Sequence, residues 1–379
     1  MFNLEQQTGF SQAMIDERKA RLQAFWSGES NEPALHKSGW AWPEGFDPQY
    51  PVGKNTREAF WDWDYNLQAQ LATCRVRSQF RDDWVPMVFP YLGTGVLASA
   101  FGCEVNFPDW DQPWTRPIVR CPEDVGKLHQ PEPSEGLLGQ VLEFTRYLGE
   151  AVDWQLPVRV TDIQGPLDTA SLIWDYTDFM TSFYEAPEAV AQVLDMVTQL
   201  IVDFVKLQEE VVQGEFVRMH CPDFWVPPGK GLSISEDLLA TVSPSLYEQF
   251  AKPCNERLAR EFNGLSVHSC GEFAFNFEHM AATEGLYCAD MAAGEADFAK
   301  AVEVFTPAGI AISIRVGLTK DRTFATPLDY LEYVFDHVQS QTRLFLHAER
   351  GWPPPGCEPM GDVPLSQVEA FLAARGITR

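Results

Sequence analysis

The sequence predicts an α/β fold, a (β/α)8 TIM barrel with an N-terminal helical extension. From residue 85 onward, short apolar runs that end in Gly, Pro or a polar residue alternate with longer segments of helical pattern. This alternation is typical of repeated βα units around a parallel sheet. The alternative is a doubly wound sheet, but no GxGxxG follows a first strand and no GxxxxGKS or GxxxxGKT occurs. No motif therefore favours a nucleotide-binding fold.

Seven apolar runs are predicted to be barrel strands. They are VPMVFP (85–90), VRVTDI (158–163), FVRMH (216–220), LSVHS (265–269), LYCADM (286–291), IAISIRV (310–316) and RLFLHAE (343–349). The eighth strand is not evident, and SAFGCEV at 99–105 is the candidate for it. Seven units spread over about 290 residues suit a closed barrel better than an open sheet.

Helices are predicted from apolar periodicity and from proline in the first turn. The predicted helical segments are 11–27, 56–79, 187–213, 236–262 with a break near Pro244, 326–340 and 364–375. The stretch 28–55 is rich in Pro, Gly and Trp and is predicted to be irregular. We therefore expect an extension over residues 1–84, packed on a barrel formed by residues 85–379.

The charge of the chain excludes some classes of partner. Its formal net charge is −26, with 54 acidic and 28 basic residues. Such a surface repels phosphate backbones and anionic lipids, which argues against binding to nucleic acid or to a membrane. No run approaches the ~18 apolar residues that a membrane-spanning helix needs. The charged, amphipathic start also lacks the apolar core of a signal peptide, so we expect a cytoplasmic enzyme.

The eight cysteines are scattered along the chain, unlike those of a small secreted scaffold. In a reducing cytosol, such cysteines are buried thiols, metal ligands or catalytic groups. Two of them raise specific questions, because Cys270 follows His268 by two residues and Cys357 lies in the loop after the last predicted strand. The other six are at positions 74, 103, 121, 221, 254 and 288.

The stretch LSVHSCG at 265–271 predicts half of a metal site. In a strand, residues i and i+2 share a face, so His268 and Cys270 should point the same way, with Ser269 opposite. They stand at the carboxyl end of a predicted barrel strand, where such barrels build their active sites. Mixed nitrogen and sulfur donors favour zinc. The competing interpretation is a hydrogen-bonded core histidine beside a buried thiol.

A zinc site needs at least one more protein ligand. The candidates are Cys357 in the loop after the last predicted strand, Cys288 on the strand after LSVHS, and Cys221 after the third strand. Adjacent residues in a strand diverge, so His220 and Cys221 are not expected to bind one metal together. For Cys288 and Cys221 a core thiol at a strand end is the favoured interpretation.

The chain resembles the uroporphyrinogen decarboxylase superfamily, and within it the zinc-dependent corrinoid methyltransferases of the methylcobalamin:coenzyme M type. The resemblance rests on VHSCG (267–271), PPGCEPM (354–360), TDIQGPLDTASLI (161–173), YEAPEAVAQVLDMVTQLIVDF (184–204) and SPSLYEQFAKPCNERL (243–258). It covers roughly residues 85–379, with a weaker echo in ERKARLQAFWSGE near the start. The resemblance implies a (β/α)8 barrel and zinc bound by His268, Cys270 and Cys357.

The resemblance also implies the reaction, in which a methyl group moves between a corrinoid and a thiol or similar small acceptor. Methylcobalamin would be a co-substrate carried by a corrinoid-binding partner protein. One departure matters, because the decarboxylases have an N-terminal cationic segment and Arg is sparse near VPMVFPYLGTGVLASAFG. The alternatives are a decarboxylase or lyase of the superfamily with an unknown substrate, and a zinc-independent demethylase of methylated compounds.

Polar residues at other strand ends are candidates for the site. Glu349 and Asp290 are predicted to be catalytic, either as an occupant of the fourth zinc position or by orienting His268. The residues predicted to bind substrate are Asp162, Gln164, His220, Asp223 and Arg315. For each of them, a structural hydrogen-bond partner is the competing interpretation.

Overall fold

The computed structural model describes residues 1–37, 49–316, 324–348 and 363–378. Its strands are β1 Ala34–His36, β2 Glu104–Asn106, β3 Trp114–Arg116, β4 Val158–Arg159, β5 Phe216–Val217, β6 Leu232–Ser235, β7 Leu265–His268, β8 Leu286–Ala292, β9 Ala311–Val316 and β10 Leu344–Ala348. Six of them form one sheet in the order β1-β10-β9-β8-β7-β6, in which every neighbouring pair is parallel.

Parallel pairing continues around the barrel beyond this sheet. The Ser233 N–H in β6 donates to the Arg218 carbonyl just after β5, with N and O 2.8 Å apart. Strand β5 pairs with β4, and Val88 forms a parallel bridge to Val158 of β4. The segment around Val88 and the seven strands from β4 to β10 thus form eight consecutive parallel segments. This confirms the predicted (β/α)8 barrel.

The prediction for the eighth strand is wrong. Residues 99–105 contribute to a helix, Val96–Ala100, and to β2, which pairs antiparallel with β3 outside the barrel. The eighth strand is β6, with the sequence LSIS. The sequence pattern does not indicate this strand, because two serines interrupt its apolar run. All four residues are nevertheless buried. The interior of the barrel is polar here, since the Ser233 hydroxyl accepts the His220 N–H at 2.7 Å.

The prediction that 28–55 is irregular is also wrong in part, because β1 lies within it. β1 pairs with β10, and the Asp83 N–H donates to the Leu35 carbonyl at 2.9 Å. The Leu35 N–H in turn donates to the Asp83 carboxylate at 2.9 Å. The strand is held by partners far away in sequence, which local composition does not indicate. Residues 38–48 lie outside the described residues.

The α-helices cover the barrel and form the N-terminal extension. They are α1 Leu4–Thr8, α2 Gln12–Ser27, α3 Thr56–Trp61, α4 Trp63–Arg77, α5 Val96–Ala100, α6 Leu137–Ala151, α7 Pro166–Ile173, α8 Tyr176–Glu185, α9 Pro187–Val211, α10 Pro244–Leu246, α11 Lys252–Phe262, α12 Phe277–Ala281, α13 Phe298–Phe305, α14 Pro327–His337 and α15 Leu365–Ala373. Helical turns of other kinds span Pro122–Lys127, Asp237–Ala240, Tyr247–Ala251 and Ala274–Asn276. No helix in these described ranges is long and apolar enough to cross a membrane.

Local capping explains where the predicted helices divide. The segment 56–79 splits at Asp62, whose side chain accepts the Tyr65 N–H at 2.9 Å and so begins α4. Within the segment 236–262, helix α10 begins at Pro244. The hydroxyl of the preceding residue, Ser243, accepts the Leu246 N–H. These are N-cap contacts, which satisfy donors that the first turn leaves unpaired.

The N-terminal helices are joined to the barrel by an aromatic cluster. Phe25 and Trp26 of α2 pack against Phe345 of β10, with ring centroids 6.1 and 6.5 Å apart. Phe224 lies between them, 4.2 Å from Phe345 and 5.2 Å from Trp26. The packing leaves these four residues 3% exposed or less. A boundary between extension and barrel near residue 84 stays a prediction.

Candidate metal site

The predicted half-site lies where β7 ends. His268 is the last residue of β7 and is 5% exposed, and Cys270 follows in the loop, half-buried. The Cys270 Sγ lies 3.4 Å from the His268 Nε2. The imidazole and the thiol thus converge on one place, as their spacing predicts. Whether they bind a metal stays a prediction.

Asp290 fixes the orientation of the His268 ring. It stands opposite His268 in the pairing of β7 with β8, and its carboxylate is fully buried. Its Oδ2 lies 2.5 Å from the His268 Nδ1, and its Oδ1 lies 3.0 Å from the His347 Nε2 of β10. Burial alone would raise the pKa of Asp290, but positive charge at His347 and the hydrogen bond to His268 hold it well below its usual range.

An ionised Asp290 has a direct consequence for the metal-binding capacity of His268. A carboxylate can only accept, so the His268 Nδ1 carries the proton that it donates. The Nε2 then faces Cys270, and a metal bound there would take the place of a proton on this nitrogen. A histidine that ligates a metal usually has its other ring nitrogen held in this way by a carboxylate. Asp290 therefore lies where it can orient His268, which is one of the two roles predicted for it.

Asp237 and Arg315 surround the thiol of Cys270. The Cys270 N–H donates to the Asp237 Oδ1 at 2.7 Å, and the same oxygen lies 3.9 Å from the His268 Nε2. The Arg315 guanidinium donates to the Cys270 Sγ at 3.5 Å. Arg315 also pairs with Glu295 at 3.6 Å.

Cys221 is one of the candidate third ligands, for which the sequence favours a core thiol. It is half-buried, and its Sγ lies within 4.8 Å of both a His268 ring nitrogen and an Asp290 carboxylate oxygen. Cys288, given the same assignment, is fully buried and burial raises the pKa of its thiol to about 12. A cysteine directly after a predicted strand end was the available signal for Cys221.

The donors around His268 fit a divalent cation. Burial alone would lower the pKa of His268, but negative charge at Cys221 and hydrogen bonds with Asp290, Cys221 and Cys270 raise it well above 6.5. Asp237, His268 and Cys270 offer ligand atoms within 4.8 Å of one another, and so do Cys221, His268 and Asp290. Imidazole and thiolate donors together suit zinc. Two further predicted residues, the metal ligand Cys357 and the catalytic Glu349, lie outside the described residues.

Three of the residues predicted to bind substrate lie together near this cluster. Gln164 donates to the Asp162 Oδ1 at 2.6 Å, and the His220 Nδ1 lies 3.9 Å from the same oxygen. Burial raises the pKa of Asp162 to about 6, against the opposing effects of Gln164 and His268. Gln164 forms a parallel bridge to Ser235, which stands opposite His268 in the pairing of β6 with β7. These side chains can line the wall of one site.

Asp223 is engaged in a different cluster. Its carboxylate accepts the Arg159 Nη1 at 2.8 Å and the Trp84 Nε1 at 3.0 Å, and it lies 3.3 Å from the Arg77 Nη2. These partners satisfy the carboxylate within the protein. The contacts support the structural interpretation of Asp223, and its role in substrate binding stays a prediction.

A buried pair of carboxyl groups supports the loop that carries Asp237. The Asp168 carboxylate accepts the Asp237 and Leu238 N–H groups at 2.7 and 2.9 Å. Glu236 is fully buried, and its Oε1 accepts the Leu167 N–H at 3.3 Å, whereas its Oε2 has no partner among the described residues. Burial raises the pKa of Asp168 to about 7 and that of Glu236 well above 4.5. We assign the charge to Asp168, which has two donors, and the proton to Glu236.

This assignment predicts the effect of Glu236→Gln on stability. Between the pKa of Glu236 in the unfolded chain and its higher pKa in the folded protein, Glu236 is protonated only in the folded protein. The free energy of unfolding of the wild type therefore falls as pH rises through that window, starting near pH 4.5. The variant has no proton to lose at this position. From pH 5 to pH 8, its free energy of unfolding should therefore fall by less than that of the wild type, with a difference of more than about 1 kcal/mol. Urea unfolding at pH 5 and pH 8 measures it. Glu248→Gln is the control, because hydrogen bonds from His279 and Lys252 lower the pKa of Glu248. Equal pH dependence in wild type and Glu236→Gln would contradict the assignment.

Comparison with known proteins finds two similarities in sequence. Residues 69–213 match the family model described as uroporphyrinogen decarboxylase (URO-D). This range contains Asp162 and Gln164 but not the His268–Cys270 pair. The chain is 23% identical over 291 residues to the methylcobamide:CoM methyltransferase MtaA of Methanosarcina barkeri, covering 76% of this chain and 78% of the relative.

A solved structure shares the fold. A methyltransferase from Methanosarcina mazei superposes with a TM-score of 0.65 at 20% identity, covering 95% of this chain and 98% of the other. The structural match supports the barrel, and the curated relative confirms the predicted enzyme class, a transferase. The chain is therefore similar over residues 69–213 to the uroporphyrinogen decarboxylase family, and over most of its length to methyltransferases.

Proposed function

We propose that the chain is a zinc-dependent methyltransferase that moves a methyl group between a corrinoid and a thiol or similar small acceptor. The observation that carries this proposal is that the Cys270 Sγ lies 3.4 Å from the His268 Nε2. Asp290 fixes the orientation of this histidine ring through its other nitrogen. The relative from Methanosarcina barkeri, named a methylcobamide:CoM methyltransferase, supports the class of methyl donor.

The residues that would hold zinc are His268 and Cys270, together with the predicted ligand Cys357. A zinc ion bound there would act as a Lewis acid that keeps an acceptor thiol in its thiolate form at neutral pH. Asp290 positions the imidazole, and Arg315 donates a hydrogen bond to the Cys270 sulfur. Asp162, Gln164 and His220 would form the wall that orients the acceptor.

The proposal includes a partner and a compartment. The corrinoid would arrive on a carrier protein that docks at the carboxyl end of the barrel, where the β7 and β8 residues of the site converge. Cysteine ligands stay reduced in the cytoplasm, which is the compartment we propose. The net charge of −26 suggests that the docking surface of such a carrier is basic.

Metal analysis with a thiol methylation assay tests this function. We expect about one zinc per chain in freshly purified, reduced protein, as in catalytic zinc enzymes. We also expect loss of the methylcobalamin spectrum when a small thiol is added. Protein that neither contains nor takes up zinc, and that methylates no thiol, would refute the proposal. The decarboxylase, lyase and zinc-independent demethylase alternatives would then replace it.

A further inference from the structure

We propose that His347 is a positioning residue of the metal site, which acts through Asp290 on the orientation of His268. This inference rests on the proposed function, because it concerns the histidine ligand of the same zinc. The Asp290 carboxylate lies between the two imidazoles, with Oδ2 2.5 Å from the His268 Nδ1 and Oδ1 3.0 Å from the His347 Nε2. Each of its oxygens is therefore engaged by a different histidine.

The contact between Asp290 and His347 crosses one strand of the barrel. Asp290 lies in β8 and His347 in β10, and β9 is the strand between them. The residue of β9 opposite Asp290 is Ser313, which is fully buried. Residues paired in this way point to the same face of the sheet, and a serine is small enough to leave room for the contact. The sequence of β9 thus permits a hydrogen bond from β10 to β8.

Burial makes this second hydrogen bond important for Asp290. The carboxylate is fully buried and His347 is 3% exposed, so bulk water cannot take the place of either partner. The plane of an aspartate carboxylate rotates over a broad range, and a single hydrogen bond leaves part of this freedom. An ionised carboxylate only accepts, so the His347 Nε2 carries the proton that it donates. This second donor fixes the plane of the carboxylate and so keeps the Oδ2 in place for His268.

The zinc affinity of two variants separates a positioning role from simple burial. His347→Leu removes the donor, and we expect it to lower zinc affinity about tenfold, the smallest loss typical of groups outside the ligand set. His347→Gln keeps an N–H donor and should stay within about threefold of the wild type. His279→Gln is the matched control, because His279 also pairs with a carboxylate, that of Glu248 at 2.8 Å, but lies in α12. It should leave zinc affinity unchanged in competition with a chromogenic chelator.

A double-mutant cycle tests whether the effect passes through Asp290. In the Asp290→Asn background, His347→Leu should cause no further loss of zinc affinity, because the carboxylate that His347 holds is gone. An equal loss in both backgrounds would show that His347 supports the barrel and not Asp290. That result, equal losses in His347→Leu and His347→Gln, or wild-type affinity in folded His347→Leu would overturn this inference and leave the proposed function standing.

Nitrogen NMR of the wild type provides a test that does not depend on folded variants. In metal-free protein with isotope-labelled histidine, the His347 Nε2 and the His268 Nδ1 should each carry a hydrogen. A bare His347 Nε2 would overturn the inference, because this nitrogen could not donate to Asp290. Absence of zinc binding by a wild type that has both hydrogens would overturn the proposed function, and with it the role of His347 in metal binding.

Discussion

Cys270→Ala is expected to give a folded protein that retains no zinc and transfers methyl groups at least about 1000-fold more slowly. A Lewis acid contributes several kcal/mol to the transition state, and each 1.36 kcal/mol is a factor of about ten in rate. Cys270 is half-buried, and the Cys270 N–H that pairs with Asp237 belongs to the backbone. The substitution therefore removes the sulfur and leaves the loop contact in place. Elemental analysis and the thiol methylation rate measure the two effects.

The control for this prediction is a cysteine outside the site. Cys254→Ala removes a thiol of similar exposure that lies in α11, and it should keep both zinc and activity. Circular dichroism of both variants shows whether the fold is retained. A folded Cys270→Ala protein with a full complement of zinc would exclude Cys270 as a ligand. Loss of activity with zinc retained would point to a role for its sulfur in substrate binding.

The sequence predicted the barrel well because most of its strands are continuous apolar runs. Leu286–Ala292 and residues 311–314 are buried on both faces, as parallel strands are when helices cover them. Strand β6 could not be found in this way, because Ser233 and Ser235 are polar yet buried. Their surroundings are supplied by neighbouring strands, and that information is absent from a local window of sequence.

The site was predictable where strand geometry decides side-chain direction. The i, i+2 spacing of His268 and Cys270 is sufficient to bring their side chains together. Asp237 was not found, and a core thiol was favoured for Cys221, because both follow the ends of β5 and β6 and their directions depend on how the chain turns there. Strand-end position alone also grouped Asp223 with the substrate-binding residues, although ion pairs with Arg159 and Arg77 engage its carboxylate.

Asp290→Asn is expected to lower zinc affinity by about 10- to 100-fold, the usual effect of a partner that orients a metal-bound histidine. The asparagine has nearly the same shape, and its oxygen can still accept from the His268 Nδ1. The negative charge that makes the ring a stronger ligand is lost, and the new NH2 group faces the His347 Nε2, which lies 3.0 Å from the present oxygen. Competition with a chromogenic chelator measures the affinity.

Asp290→Ala should have a larger effect on the fold, since it leaves His268 and His347 buried without their shared acceptor. The removal of one partner from a buried charged pair costs on the order of 3–5 kcal/mol, which urea unfolding of the metal-free protein can detect. Asp223→Asn is the matched control, because Asp223 is also ion-paired at a strand end but belongs to the Arg159 cluster. It should lower stability and leave zinc affinity unchanged. If Asp290→Asn bound zinc as tightly as wild type, the ionised carboxylate would not be what prepares His268 for the metal, and the proposed role of Asp290 would be wrong.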